Sequence, residues 1–147
     1  NKFSTYFNLT IWLLFLGKNK LPKAIYQTKT VRTENTEKLL YEFFGYESFR
    51  NSQLEIIDAV IKYDNILAVL PTGAGKSICY QIPALISENF SIVISPLIAL
   101  MKDQVDALNK RKTVAAFINS TMSYSETECV LTKIAQGSIK LLYLAPE

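Results

Sequence analysis

Gly73, Gly75, Lys76 and Ser77 stand within five consecutive positions, and those residue types at that spacing suit phosphate. Glycine accepts backbone angles and a closeness of approach that a side chain blocks. Successive N–H groups can then turn inward and form a concave anion site at a helix N-terminus. Lys76 adds a point charge for the β- and γ-phosphates, and the Ser77 hydroxyl can ligate Mg²⁺. The general template G-x-x-x-x-G-K-[ST] asks for Gly where this chain has Leu70. A tight turn whose lysine is merely solvated is the plain alternative. The order of the flanking elements favours a nucleotide phosphate site.

Those elements are legible on both sides of the loop. Ile66-Leu67-Ala68-Val69-Leu70 is continuously apolar and predicts a buried strand that runs into it. A helix is predicted from Lys76 to about Ile86, with Pro83 expected to kink or end it. Downstream, Ser91–Ile94 is a short apolar run of the kind parallel strands use when both faces are buried. After Pro96 a helix runs to about Asn109, with Leu97, Leu100, Met101, Val105 and Leu108 on one side. Val114–Ile118 and Ile139–Leu144 are further strands. Between them a helix opens near Ser123, where Glu126 suggests a capping box, and ends at Gly137. Strands separated by such helices imply βαβ units and a parallel sheet. Ligands in such sheets bind outside the carboxyl ends of the strands. The loops after Leu70, Ile94 and Leu144 therefore share one edge.

Upstream of the loop, Thr36–Phe44 carries Leu39, Leu40, Phe43 and Phe44 as a helical stripe, and Gly45 stops it. A second helix is expected from about Ser52 to Ile61. Ser52 with Glu55 would form its capping box, and Leu54, Ile57 and Ile61 its core face. On residue chemistry alone the intervening corner admits two readings. Arg50 is either solvated or functional, and Gln53 either caps the helix or binds a ligand.

Composition bounds the rest. The chain has 147 residues, 49% of them hydrophobic, enough for one domain with a real core and too few for two. A net charge of +3 permits nucleic-acid contact without demonstrating it. There is no histidine, which excludes His-based catalysis and His metal sites. Cys79 and Cys129 are isolated, so neither a disulfide framework nor a Cys-x-x-Cys zinc site is indicated. Both are expected to be buried small hydrophobes in a reducing cytoplasm. Residues 1–32 differ from the remainder. Phe3–Gly17 is uncharged, and Ile11–Leu16 is strongly apolar yet short for a membrane span. A packing helix, membrane contact or a non-native extension are the three readings. Lys18–Arg32 reads as a linker. The chain opens on Asn1 rather than Met, which suggests a cut or misassigned start. The expected division is thus an atypical extension over 1–32 and a second unit over 33–147.

Four stretches in order carry a family resemblance: Phe44–Gln53, Leu70–Ala84, Ser95–Val105 and Leu142–Glu147. They are similar to consecutive helicase motifs of the RecQ family, within the second helicase superfamily, over about Glu37–Glu147. The resemblance accounts for Leu70, since that superfamily does not keep the first Gly. It implies an incomplete RecA-like P-loop NTPase domain, an α/β fold with a parallel sheet and flanking helices. It further implies an ATP-dependent 3′–5′ DNA helicase of repair and recombination, using ATP and Mg²⁺ on single-stranded or partly duplex DNA. A cytoplasmic or nucleoid-associated location follows, with no stable membrane partner.

By motif match, Tyr46 and Arg50 would stack on the two faces of adenine and Gln53 would hydrogen-bond its edge. Thr72, Gly73, Ala74, Gly75, Lys76 and Ser77 would form the phosphate loop. Lys76 would carry transition-state charge, and Ser77 the nucleotide's Mg²⁺. Ser95, Pro96, Lys102 and Pro146 would face the DNA backbone. The family's acidic motif, second lobe and zinc-binding segment have no counterpart in these residues. The chain alone is therefore expected to hold ATP weakly and not to hydrolyse it. A sheet ending at the fourth strand is expected to leave an open edge. Two other readings remain: a non-hydrolysing nucleotide-binding remnant, and an RNA-directed motor of the same superfamily.

Overall fold

The structure is a computed structural model that describes residues 12–14, 34–62, 66–71 and 73–146. Helix α1 (Glu34–Phe44) buries Leu40 completely, and Gly45 ends it at φ 73°, its N–H donating to Tyr41 O over 2.9 Å. A left-handed residue at that position favours glycine, as at many helix ends. Helix α2 (Asn51–Ile61) follows. Its first turn is closed by Gln53 Oε1, which accepts the Arg50 N–H at 2.9 Å. The cap therefore sits two residues upstream of the expected Ser52–Glu55 box. The cause is tertiary: Gln53 is drawn inward, whereas Ser52 and Glu55 stay in solvent.

Helix α3 (Ile78–Ile86) is the centre of the molecule, with every residue from Ile78 to Ala84 buried. Ile78 and Ile82 pack with Leu40 and Ile57 on one side, and Tyr80 and Ala84 face the sheet-side core on the other. Pro83 neither ends nor shortens this helix at once. It lies in the last turn, where Ser87 N–H still reaches Pro83 O at 3.0 Å, and the buried neighbours on both sides hold the chain helical.

The sheet contains β1 (Trp12–Leu14), β2 (Ser91–Ile94), β3 (Ala115–Ile118) and β4 (Leu141–Leu144), in the order β1-β2-β4-β3. β4 pairs in parallel with both β2 and β3, with Tyr143 opposite Val93 on one side and Phe117 on the other. Parallel strands need crossover helices. These are α4 (Ile98–Asn109) and α5 (Tyr124–Ala135). Asn109 ties α4 to β3: its Oδ1 accepts from Val114 and Ala115 N–H, and its Nδ2 donates to Ala115 O. The expected capping box at Ser123 and Glu126 is present, with the Ser123 N–H donating to Glu126 Oε2 at 2.8 Å.

Four expectations meet the structure, and three of them are corrected. Ile66–Leu70 is not a strand: it pairs with no strand among the described residues, and Leu67 and Val69 are 79% and 77% exposed. A strand needs a neighbour to take its N–H and C=O groups, and none stands beside this run. Second, the expected open sheet edge is present at β3, which pairs only with β4 among the described residues, while β4 inserts between β2 and β3. Third, Trp12–Leu14 of the N-terminal apolar stretch forms an antiparallel strand on β2 and not a helix. The remainder of residues 1–32 lies outside the described residues. Fourth, Cys129 is exposed on α5, whereas Cys79 is buried as expected. Burial raises the Cys79 thiol to about 11, so it is neutral at ordinary pH. Among the described residues no helix is long and apolar enough to cross a membrane.

Candidate nucleotide site

The loop between Pro71 and α3 is built by two left-handed glycines. Gly73 has φ 80° and Gly75 has φ 74°, a region that costs a residue with a Cβ about 1–2 kcal/mol. Ala74 N–H closes the first turn on Pro71 O at 3.2 Å, and Ile78 N–H the second on Gly75 O at 3.2 Å. Among the described residues, the backbone N–H groups of Gly75, Lys76 and Ser77 have no hydrogen-bond acceptor. They stand directly before α3, where the helix dipole adds positive potential. Three adjacent unpaired donors at a helix start are the acceptor-hungry arrangement an anion satisfies.

The loop's carbonyls are held from outside. Arg50 Nη1 donates to Gly73 O at 2.9 Å, and Gln53 Nε2 to Ala74 O and Gly75 O at 3.2 and 3.3 Å. Gln53 is only 3% exposed, and both ends of its amide are engaged. A Cβ at Gly75 would collide with Gln53 Nε2, whereas one at Gly73 would meet nothing within 4 Å. Gly75 is therefore needed twice, for its backbone angle and for the space Gln53 fills. Lys76 Nζ donates to Leu70 O at 2.9 Å and Pro71 O at 3.3 Å. Its ammonium thus rests on neutral carbonyls, partners that a phosphate oxygen readily replaces.

Arg50 and Gln53 thus meet Gly73–Gly75 across more than 20 positions of sequence. Tyr46 is 56% exposed in the turn before α2, and Thr72 lies outside the described residues. Along the sheet's carboxyl edge, Ser95 is buried, its N–H donating to Leu144 O at 3.0 Å and its Oγ accepting from Leu97 N–H at 3.4 Å. Pro96, Lys102 and Pro146 are exposed. The loops after β2 and β4 are thus laced together, as sharing one edge requires.

A group of side chains that the residue pattern did not single out links the two areas. Gln104 on α4 donates from Nε2 to Ser77 Oγ at 3.3 Å. Its Oε1 accepts from the hydroxyls of Tyr80 at 2.6 Å and Tyr143 at 3.1 Å. Gln81 Nε2 donates to Tyr143 OH at 3.0 Å. Burial is the main cause that pushes both tyrosine hydroxyls up, so each stays protonated and able to donate. The available signal was a cluster of polar residues in otherwise apolar runs: Tyr80 and Gln81 within α3, Tyr143 within β4. Among the described residues, no group of three or more Cys, Asp or Glu could hold a metal by itself.

Residues 50–147 match the family model "DEAD/DEAH box helicase". The chain belongs to the DEAD/DEAH box helicase family. Within it, the chain sits with the RecQ helicases. It is 49% identical over 109 residues to the ATP-dependent DNA helicase RecQ of Pasteurella multocida, covering 74% of this chain and 17% of that protein. It is 53% identical over 112 residues to the ATP-dependent DNA helicase RecQ of Bacillus subtilis, covering 76% and 19%. The chain thus spans about a fifth of the length of these curated relatives. Its fold is similar to that of the DUF1998 helicase MrfA, solved bound to DNA, at a TM-score of 0.57 and 20% identity over 78% of this chain and 17% of that one.

Proposed function

We propose that residues 33–147 form the ATP-binding part of an ATP-dependent DNA helicase of RecQ type that acts 3′ to 5′ on single-stranded or partly duplex DNA in repair and recombination. The observation that carries this reading is the row of N–H groups at Gly75, Lys76 and Ser77, which have no acceptor among the described residues, braced from behind by Arg50 and Gln53. The named activity of the RecQ relatives supports it.

The residues present fit ATP and Mg²⁺. The two glycines open the loop, the three N–H groups and the Lys76 ammonium receive phosphate oxygens, and the Ser77 hydroxyl is a ligand for the nucleotide's Mg²⁺. Mg²⁺ held there with the nucleotide would supply charge neutralisation for phosphoryl transfer. Lys76 exchanges its two carbonyl partners for phosphate, a charge-assisted contact that strengthens as negative charge builds on the oxygens. Tyr46 and Arg50 offer a ring and a guanidinium plane to the base. For Gln53 to bond the adenine edge, its amide must give up bonds it makes to the loop, which ties base recognition to loop shape. Thr72 completes the loop. On the sheet's carboxyl edge, Ser95, Pro96, Lys102 and Pro146 form the nucleic-acid face, with Lys102 supplying charge to the phosphate backbone and Ser95 backbone order rather than an exposed hydroxyl. The location that follows is the compartment of the DNA, cytoplasmic or nucleoid-associated.

Titration of the protein with a fluorescent ATP analogue and Mg²⁺ tests the phosphate loop. Lys76→Ala is expected to weaken binding by roughly 1.5–3 kcal/mol, about 10- to 150-fold. Equal affinity for the variant and the unchanged protein overturns the assignment.

A further inference from the structure

The Gln104 amide bonds the proposed nucleotide loop at Ser77 and lines a cavity with Ser95 of the proposed nucleic-acid face. Its Nε2 holds Ser77 Oγ, at the start of α3, and its Oε1 is held by Tyr80 and by Tyr143 of the central strand. Tyr80 and Tyr143 are buried, and Gln81, also buried, completes the set through Tyr143 OH. Tyr143 lies one residue before Leu144, whose carbonyl accepts from Ser95 N–H. Gln104, Tyr80, Tyr143 and Ser95 also line one cavity of about 10 Å³, close to the space one water needs. Gln104 shares α4 with the exposed Lys102. Buried polar networks of this kind are costly to leave partly satisfied, so a change at one member is felt at the others.

We propose that Gln104 is a positioning residue that couples nucleotide binding to nucleic-acid binding through competition for the Ser77 hydroxyl. The inference rests on reading residues 73–77 as the nucleotide site and the sheet's carboxyl edge as the nucleic-acid face. Without nucleotide, Ser77 Oγ is an acceptor for Gln104. Ser77 Oγ ligating Mg²⁺ would give up electron density and turn its hydroxyl, weakening the bond from Gln104 Nε2–H, while Oε1 stays bonded to the two tyrosines and Gln81. Gln104 is partly buried, so weakening this bond favours a new arrangement of the amide within the network it shares with the buried Tyr80, Gln81 and Tyr143. The Gln104 amide is then a two-state element that both ligands bias, and the coupling it carries must be reciprocal.

The test is a binding linkage, which needs no turnover. Affinity of a fluorescent ADP analogue is measured with and without saturating oligothymidylate, in the presence of Mg²⁺ and again in EDTA. For the unchanged protein the oligonucleotide is expected to shift nucleotide affinity by about fivefold or more with Mg²⁺, and to leave it unshifted in EDTA. Gln104→Glu keeps an acceptor for both tyrosines and removes the donor to Ser77. It is expected to bring the factor within about twofold of unity while each ligand alone still binds. Tyr143→Phe, which leaves Gln104 in place and frees one side of its Oε1, is expected to give an intermediate factor. A merely structural role would lower both affinities and leave their ratio unchanged. The same factor in Gln104→Glu as in the unchanged protein, or no factor in a protein that binds both ligands, overturns the coupling alone. Absence of nucleotide binding by the unchanged protein overturns the reading of residues 73–77 and the coupling with it.

Discussion

Two apolar runs of similar composition meet opposite fates. Ile66–Leu70 precedes the phosphate loop and has no strand partner, with Leu67 and Val69 mostly exposed. Leu141–Leu144 lies between two parallel neighbours, with Leu141 fully buried. Both satisfy the same local rule for a buried parallel strand. The difference is supplied from outside each segment. β4 finds β2 and β3 waiting with complementary N–H and C=O groups, and α3 and α4 cover the sheet beside it. Strand character is therefore a property of the neighbourhood, and β propensity measures fit to a pleated surface that must already exist.

That contrast is open to direct attack. Leu141→Ala should destabilise the protein by about 2–5 kcal/mol in chemical denaturation, the cost of lost transfer plus a cavity. Val69→Ala should fall within about 0.5 kcal/mol of the unchanged protein. A comparable loss at both positions would mean that Ile66–Leu70 is packed after all. A second arm uses pH. The hydroxyls of Tyr80 and Tyr143 and the Cys79 thiol are raised by burial, so the stability they contribute is fully present below their ordinary values. For Cys79 it is lost as pH rises from 9.0 to about 11, and for the tyrosines only above 10. Alkaline unfolding should therefore begin near pH 9 and steepen above 10. Tyr143→Phe should flatten the steeper part, and an identical profile in that variant would remove Tyr143 from the account.

The phosphate loop gives a smaller and sharper comparison. Gly73→Ala and Gly75→Ala share a left-handed φ and the same strain of about 1–2 kcal/mol. Only Gly75→Ala also displaces Gln53. Its melting temperature should fall further than that of Gly73→Ala, and equal shifts would show that the Gln53 brace adds nothing. The smallest effect lies at α5, whose residues are all at least partly exposed. The hydrogen bonds from Ser123 hold the Glu126 carboxyl below its ordinary value of 4.5. The stability it contributes is present above that value and is lost as pH falls through the lower folded one. Glu126→Gln should remove this acid-side dependence in a titration of thermal stability.

Much of the fold was legible because it rests on local signals. The stripe ending at Gly45 and the box at Ser123 and Glu126 each follow from contacts within a few residues. Other features were not legible because their causes are distant. The cap of α2 moved to Arg50 and Gln53 because the loop at Gly73–Gly75 draws Gln53 in. Pro83 stays helical because Ile82 and Ala84 are fixed by packing on both sides. Cys129 is exposed because α5 meets the rest of the described molecule along a narrow face.

By itself the sequence determined that Gly73, Gly75, Lys76 and Ser77 share one loop, because they span so few positions that spacing alone brings them together. It also determined the helicase family, because several motifs recur in one order. Only the tertiary structure decided which apolar run becomes a strand and where β4 inserts. Only it decided that Gln104 joins Ser77, Tyr80 and Tyr143 across separate elements. Pairing and burial depend on partners far along the chain, and hydrogen-bonding capacity in a residue does not name its partner.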